Sequence, residues 1–146
     1  NPNAVESVRR ELLRMPESPP IEVQHADLLG EGTELADLIV FNPPWIPGEI
    51  DGVLDQALVF QDGLFDRFFN QCVARLAPGG RVVIIFSNIM SLVRPDVDHP
   101  ILTELESQRF TLVQKLQRKV KPPRDERASR RRTREKVEIW ELSPFQ

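Results

Sequence analysis

Asn42, Pro43, Pro44 and Trp45 follow a short apolar run, Ala36 to Phe41, and combine residue types suited to binding an amine. Asn42 supplies a side-chain amide oxygen, Pro43 a backbone carbonyl and Trp45 a flat aromatic ring. The two prolines fix their own φ and keep the residue before them out of the helical region, so the chain leaves the run extended and stiff. Two acceptors beside a flat apolar face match a planar NH₂ group on a planar molecule. The four residues therefore predict a site for such a group.

The apolar runs on either side predict the elements that position this motif. Ala36 to Phe41 and Arg81 to Phe86 are almost wholly apolar, as expected for strands covered on both faces. Between them, Leu64 to Leu76 predicts a helix whose broad apolar face, rich in phenylalanine, belongs to the core. Helices alternating with buried strands predict a doubly wound, mostly parallel α/β sheet. Ligands of such sheets bind beyond the carboxyl ends of the strands, where Asn42 stands.

Hydrophobic periodicity and turn residues predict the remaining elements. They are a helix over Ala4–Met15, a strand over Ile21–Ala26, a weaker helix over Pro100–Ser107, and strands over Phe110–Leu116 and Val137–Leu142. The last two strands predict a C-terminal antiparallel hairpin. Ser87 and Asn88 end the Arg81 strand at the same edge as Asn42 and are candidates for lining the target pocket.

Charge is unevenly distributed along the 146 residues. Lys115 to Lys136 contains eleven lysines or arginines against three acids, a net +8, whereas the rest of the chain carries −11. Residues 117–136 are predicted to form a basic loop, and two interpretations stay open. The loop is either a solvated, disordered charge run or, at the mouth of the site, a surface for a polyanion. Under the second interpretation Arg130, Arg131 and Arg132 bind nucleic acid.

The predicted location is the cytoplasm. The chain shows no secretory signal, and no apolar run reaches the roughly 18 residues needed to span a bilayer, so no membrane partner is expected. Cys72 is the single cysteine and has no partner for an internal disulfide. His25 and His99 lack the spacing of metal ligands, and no metal site is predicted.

The motif resembles that of class I methyltransferases that use S-adenosylmethionine to methylate amino nitrogens. Their hallmark, (Asn/Asp/Ser)-Pro-Pro-(Tyr/Phe/Trp) after the fourth strand, is matched by Asn42 to Trp45. The resemblance covers nearly the whole chain and extends to further stretches in the right order: Asn1-Pro2-Asn3-Ala4-Val5, Gln24-His25-Ala26-Asp27-Leu28, Asp55-Gln56-Ala57-Leu58, Asp62-Gly63-Leu64 and Leu76-Ala77-Pro78-Gly79-Gly80. It implies a Rossmann-like methyltransferase sheet and S-adenosylmethionine as cofactor.

The resemblance also implies that Asn42, Pro43, Pro44 and Trp45 are the catalytic residues, and it implies roles for single residues. The Asn42 side-chain oxygen and the Pro43 carbonyl accept both N–H bonds of the target amine, which directs its lone pair at the methyl group. Trp45 stacks on the plane of the target. Asp27 accepts a hydrogen bond from the adenine amine of the cofactor, the backbone N–H of Leu28 donates to the adenine ring, and Asn42 also contacts the cofactor.

The chain departs from the family in its cofactor half. The family's glycine-rich loop and its ribose-binding acid fall upstream of Asn1, and the seven glycines present form no strand-linked GxGxxG pattern. Residues 1–146 are therefore expected to be the C-terminal part of one methyltransferase catalytic domain, inactive when isolated. In the family the two missing strands separate Ile21–Ala26 from Ala36–Phe41. Their absence leaves apolar sheet edges that predict self-association or direct pairing of those strands.

Three functions remain open from the sequence. The first is methylation of an exocyclic amine of RNA or DNA, which the basic segment favours. The second is methylation of a protein glutamine, which the stretch Asp62-Gly63-Leu64 favours by resemblance. The third is an inactive methyltransferase-like domain that serves as a binding module.

Overall fold

The computed structural model describes residues 2–15, 17, 19–49, 51–52, 57–121 and 134–145. The chain divides into two compact units, residues 1–32 and residues 33–146. None of the helices in the described ranges is long and apolar enough to cross a membrane.

The described residues of the first unit form one helix, α1 (Pro2–Leu12), which begins two residues earlier and ends three residues earlier than the predicted range, Ala4–Met15. Its first residue is a proline, which the first turn tolerates because that N–H has no helical partner. Arg9 Nη2 donates to the carbonyl of Val23 at 2.8 Å and ties the helix to the segment that follows. The strand predicted over Ile21–Ala26 is wrong, since residues 19–26 form neither helix nor strand. Ile21–Ala26 has the alternation of apolar and polar residues typical of a strand, but it pairs with no other strand among the described residues.

The second unit is built on a four-stranded sheet. Its strands are β1 (Ala36–Phe41), β4 (Leu76–Ser87), β5 (Phe110–Lys119) and β6 (Lys136–Pro144), in the spatial order β1-β4-β6-β5. A separate parallel pair joins β2 (Ile46–Pro47) to β3 (Val59–Phe60). The predicted α/β class and the C-terminal antiparallel hairpin are confirmed.

The expected mostly parallel pairing is wrong for this sheet. Only β1 and β4 pair in parallel, while β6 pairs antiparallel with both β4 and β5. The reason is that the hairpin does not stay at the edge: its second strand returns between β4 and β5 and so contributes both antiparallel ladders. The outer edge of β1 pairs with no strand among the described residues. Self-association through that edge stays a prediction.

Helix α2 (Leu64–Arg75) covers one face of the sheet with the phenylalanines predicted for its apolar face. Phe68 stacks on Phe41 with ring centroids 4.0 Å apart, and Phe69 lies 5.5 Å from Phe110. Cys72 is fully buried on the same face, and burial, followed by the charge of Glu104, raises the pKa of its thiol to about 12. The cluster is packing, and the burial that raises the pKa of Cys72 disfavours its thiolate.

A turn inside the first part of β4 explains the sequence Ala77-Pro78-Gly79-Gly80. Gly79 has φ of 81°, a conformation that favours glycine. A Cβ on Gly80 would lie 2.9 Å from the carbonyl oxygen of Ala77 and 3.0 Å from that of Ala36, so no other residue fits there. The turn coincides with the register shift by which β4 aligns with β1.

Two short helices complete the unit, α3 (Ile89–Val93) and α4 (Pro100–Glu106). The sequence predicted α4 and missed α3. Within the predicted loop over 117–136, residues 117–119 belong to β5 and Lys136 begins β6, so the prediction is wrong for those positions. Residues 122–133 lie outside the described residues.

Candidate active site

Asn42 occupies the predicted position directly after β1, at the carboxyl end of that strand. Asn42 is exposed, whereas Pro43 behind it is buried and Pro44 is half-buried. Among the described residues no side chain or backbone group hydrogen-bonds to the Asn42 amide. The amide therefore keeps its acceptor and donor capacity for a ligand.

Trp45 is half-buried and held by two hydrogen bonds of its own and one of its neighbour Ile46. Its indole Nε1 donates to the carbonyl of Ile85 in β4 at 3.3 Å. Its backbone N–H and that of Ile46 both donate to the carbonyl of Leu58, at 3.1 and 3.0 Å. These bonds lock the residues after the motif against the β3 segment and hold the ring in one orientation.

A cavity of about 600 Å³ brings Asn42, Pro43 and Trp45 together. The volume lies within the usual range for small-molecule sites, roughly 300–1,000 Å³. Most of its wall is apolar and comes from the segments around β2 and β3 and from α3; the remaining lining residues are Ile46, Ala57, Leu58, Ile89, Leu92, Val93 and Glu135. Of the four motif residues, only Pro44 is not in the wall.

Ser87 and Asn88 do not line this cavity; they hold its wall in place. The Ser87 hydroxyl accepts a hydrogen bond from the backbone N–H of Ile89 at 3.1 Å, at the start of α3. Asn88 clamps the base of the hairpin, because its Oδ1 accepts from the Lys136 N–H at 2.7 Å and its Nδ2 donates to the Arg134 carbonyl at 3.2 Å. Residues before β6 are thereby held beside α3.

Glu135 is the charged residue of the cavity wall, and it is not among the site residues predicted from the sequence. It is half-buried, and its Oε1 accepts from the Ser87 hydroxyl at 3.5 Å. Its carbonyl accepts from the Val120 N–H at 3.1 Å, which closes the two ends of the basic segment. Hairpin topology offered a clue, because an antiparallel last strand must begin at the edge where parallel strands end. Val137, two residues later, indeed pairs with Ser87, the last residue of β4.

A second polar cluster lies on the face of the sheet that α2 and α4 cover. The Glu138 side chain is buried and receives three donors: Lys115 Nζ at 3.0 Å, Gln117 Nε2 at 3.1 Å and Trp140 Nε1 at 3.0 Å. Lys115 also lies 3.7 Å above the Trp140 ring. No residue of this cluster lines the cavity. Its side chains hydrogen-bond to one another, as in a network that stabilises the fold.

His99 lies against this cluster, with its ring 5.1 Å from that of Phe86 and 5.3 Å from that of Trp140. Its two ring nitrogens are buried without a hydrogen-bond partner in the described part of the chain. Burial lowers the pKa of His99, against the opposing effect of the Glu138 charge.

Asp27 and Leu28, predicted to hold the cofactor, belong to the first unit, whereas Asn42 belongs to the second. Asp27 is exposed and begins a turn in which its carbonyl accepts from the Gly30 N–H at 3.0 Å. Leu28 has φ of 54°, which is uncommon for a residue with a side chain. An exposed carboxylate and a backbone N–H are the types of group that can hydrogen-bond to the edge of an adenine ring. The strand expected to position Asp27 and Leu28 is not formed, however. The described residues thus fit a cofactor only in part.

Arg130, Arg131 and Arg132 lie outside the described residues. Arg134 and Lys121 flank that segment and are exposed. Within the described ranges no three histidine, cysteine or acidic side chains gather as a metal site would require.

No protein-family model matches the chain, and no curated protein is significantly similar to it.

Proposed function

We propose that this chain carries the target-amine half of an S-adenosylmethionine-dependent N-methyltransferase of Rossmann-like fold, acting on an exocyclic amine of RNA or DNA. The observation that supports it best is the cavity at the end of β1, where an unengaged Asn42 amide, Pro43 and a fixed Trp45 ring meet. The parallel β1–β4 pair and the terminal antiparallel hairpin agree with this fold.

In the proposed reaction the protein acts mainly by positioning. The Asn42 oxygen and the Pro43 carbonyl accept the two N–H bonds of the amine and leave its lone pair pointing out of the plane. The apolar wall and the Trp45 ring hold that plane, and the seated base would cover the polar contacts and so strengthen them. S-adenosylmethionine supplies, when bound, an electrophilic methyl group, and Asp27, Leu28 and Asn42 are the residues of this chain proposed to contact it.

The first test is Asn42→Ala in the natural protein that contains residues 1–146. Removal of one preorganised acceptor should lower turnover about 10²–10³-fold, by analogy with deletion of a single oxyanion-hole donor. Cofactor affinity, measured by calorimetry, should change little. Methyl transfer from labelled cofactor is followed separately into RNA, DNA and protein.

Asn42→Asp is the matched control, because it keeps the acceptors and should retain most of the turnover. Near wild-type turnover of Asn42→Ala would remove Asn42 from the chemistry. Label in protein alone would favour the glutamine alternative, and no label in any fraction would favour the inactive binding module.

The second test concerns the nucleic acid. If about five phosphates are neutralised, log affinity should fall with log salt at a slope of roughly −3.5 to −4.5. Replacing Arg130, Arg131 and Arg132 by alanine should flatten that slope. The control replaces Arg10, Arg14 and Arg94 by alanine. These substitutions change the net charge by the same amount, but each of these arginines forms an ion pair with an acidic residue. A slope that both triple variants share would exclude the basic segment as the phosphate contact.

A further inference from the structure

We infer that Glu135 makes this site selective for guanine by accepting the ring N1–H beside the N2 amine. The inference rests on the proposed function and names the base on which it acts. It concerns the guanine ring itself, whether in RNA or in DNA.

Glu135 lines the same cavity as Asn42, Pro43 and Trp45. In the described part of the chain its carboxylate has one hydrogen-bond donor, the Ser87 hydroxyl, at the long distance of 3.5 Å. That hydroxyl is itself held by the Ile89 N–H. A carboxylate offers about four lone-pair positions, so most of its accepting capacity is left for a ligand.

The polar groups of the cavity are therefore mostly acceptors. Asn42 has an amide oxygen beside its NH₂ group, Pro43 has a carbonyl and no N–H, and Glu135 has a carboxylate. The other lining side chains are apolar apart from Trp45, whose Nε1–H already donates to the Ile85 carbonyl. A ligand that fits this set must carry several N–H donors on one edge. A ligand that places a lone pair against the carboxylate cannot form a hydrogen bond there, and its lone pair is repelled by the negative charge.

Guanine is the one common base that meets this requirement. Its N1–H lies directly beside its exocyclic N2 amine, so three donors share one edge. Adenine and cytosine carry a ring nitrogen lone pair next to their amine, and uracil and thymine have no exocyclic amine. With Asn42 and Pro43 on the two N2 hydrogens, Glu135 accepts N1–H in a charge-assisted bond.

A lysine or arginine side chain of a protein is also rich in donors, but the surroundings favour nucleic acid. Arg134 and Lys121 are exposed next to the residues that close the hairpin base, Glu135 and Val120. These cations repel a cationic side chain and attract phosphates. The fixed Trp45 ring suits a flat base better than a flexible chain.

The test measures binding of short RNA and DNA oligomers to the natural protein at low salt by fluorescence anisotropy. Each oligomer has a single guanine, adenine, cytosine or 1-methylguanine in a uracil or thymine background. We expect the guanine oligomer to bind about tenfold to hundredfold more tightly than the others, as one hydrogen bond to a charged group implies. 1-Methylguanine, which lacks the N1 hydrogen, should bind like adenine.

Glu135→Ala should bring the guanine affinity down to that of adenine, and Glu135→Gln, which keeps one acceptor, should retain part of the preference. Glu106→Ala, an exposed carboxylate on α4 outside the cavity wall, is the control and should change nothing. Equal affinity for all four oligomers with methyl transfer retained, or equal affinity for guanine and 1-methylguanine, would overturn the inference and leave the proposed function standing. Failure to bind any oligomer, with methyl transfer to protein, would overturn both.

Discussion

Glu135 lies directly before β6 and Glu138 is the third residue of that strand, yet the surroundings of the two carboxylates differ in kind. Glu138 is 5% exposed and receives hydrogen bonds or an ion pair from Lys115, Gln117 and Trp140. Glu135 is half-buried beside a cavity and has one long bond, from Ser87. A carboxylate whose lone pairs are filled from within holds the fold together, whereas one left largely unfilled at a cavity is available to a ligand.

The largest expected contrast is in stability. Glu138→Ala leaves Lys115, Gln117 and the Trp140 indole without their shared acceptor, and we expect a loss of about 2–4 kcal/mol. That value lies near the lower part of the range for breaking a buried ion pair, since Lys115 keeps some access to solvent. Glu135→Ala should change the free energy of unfolding by less than about 0.5 kcal/mol. Urea denaturation measures both, and equal losses would break the distinction between the two carboxylates.

A double-mutant cycle sharpens the contrast by isolating the Lys115–Glu138 pair. Lys115→Met alone leaves a buried carboxylate without its cation, and Glu138→Gln alone leaves the ammonium without its anion. The double variant removes both charges and keeps a side-chain acceptor for Trp140, so it should be more stable than the sum of the single losses predicts, by about 1–3 kcal/mol. If the two single losses of stability simply added up, the charge of Lys115 would be stabilised by solvent rather than by Glu138.

The smallest expected effect is a dependence on pH. Burial lowers the pKa of His99 in the folded state, so the unfolded chain binds the proton more readily. The stability of the second unit should therefore be full above pH 6.5 and fall below it, by at most about 1.4 kcal/mol per pH unit for this single proton. His99→Phe, which fits between Phe86 and Trp140, should remove the slope.

His25→Gln is the control for that experiment, because the chain has two histidines and His25 lies in the other unit. Thermal unfolding between pH 8 and pH 5.5, followed by tryptophan fluorescence, reports on Trp45 and Trp140 in the second unit. A slope that survives in His99→Phe would assign the pH dependence to another group.

The sequence predicts well where side-chain pattern and burial coincide. Ala36–Phe41 and Arg81–Phe86 are apolar because both strands lie in the sheet, and the phenylalanines of α2 recur at helical spacing because one face is buried. Asn42 could be placed at the end of β1 because the two prolines forbid continuation of either a strand ladder or a helix.

Features that depend on a partner elsewhere in the chain escape such prediction. Ile21–Ala26 has the alternation of a strand but gains no ladder, while Gln117, Arg118 and Lys119 lack it and yet pair with β6. Helix α3 is little more than a single turn, begun by the Ser87 hydroxyl rather than by a long periodic pattern. Glu135 reaches the cavity only because the last strand returns beside β4, which no local pattern specifies.

The two hydrogen bonds of the Asn88 side chain to Arg134 and Lys136 connect the start of β6 to the start of α3. Asn88 is the residue immediately before α3, and α3 supplies Ile89, Leu92 and Val93 to the cavity wall. A movement of the backbone at Arg134 would therefore also move Asn88 and, one residue further on, the start of α3. A displacement of Arg134 would in this way change the width of the cavity, and a nucleic acid that binds as proposed would change the shape of the cavity as it pulls on Arg134.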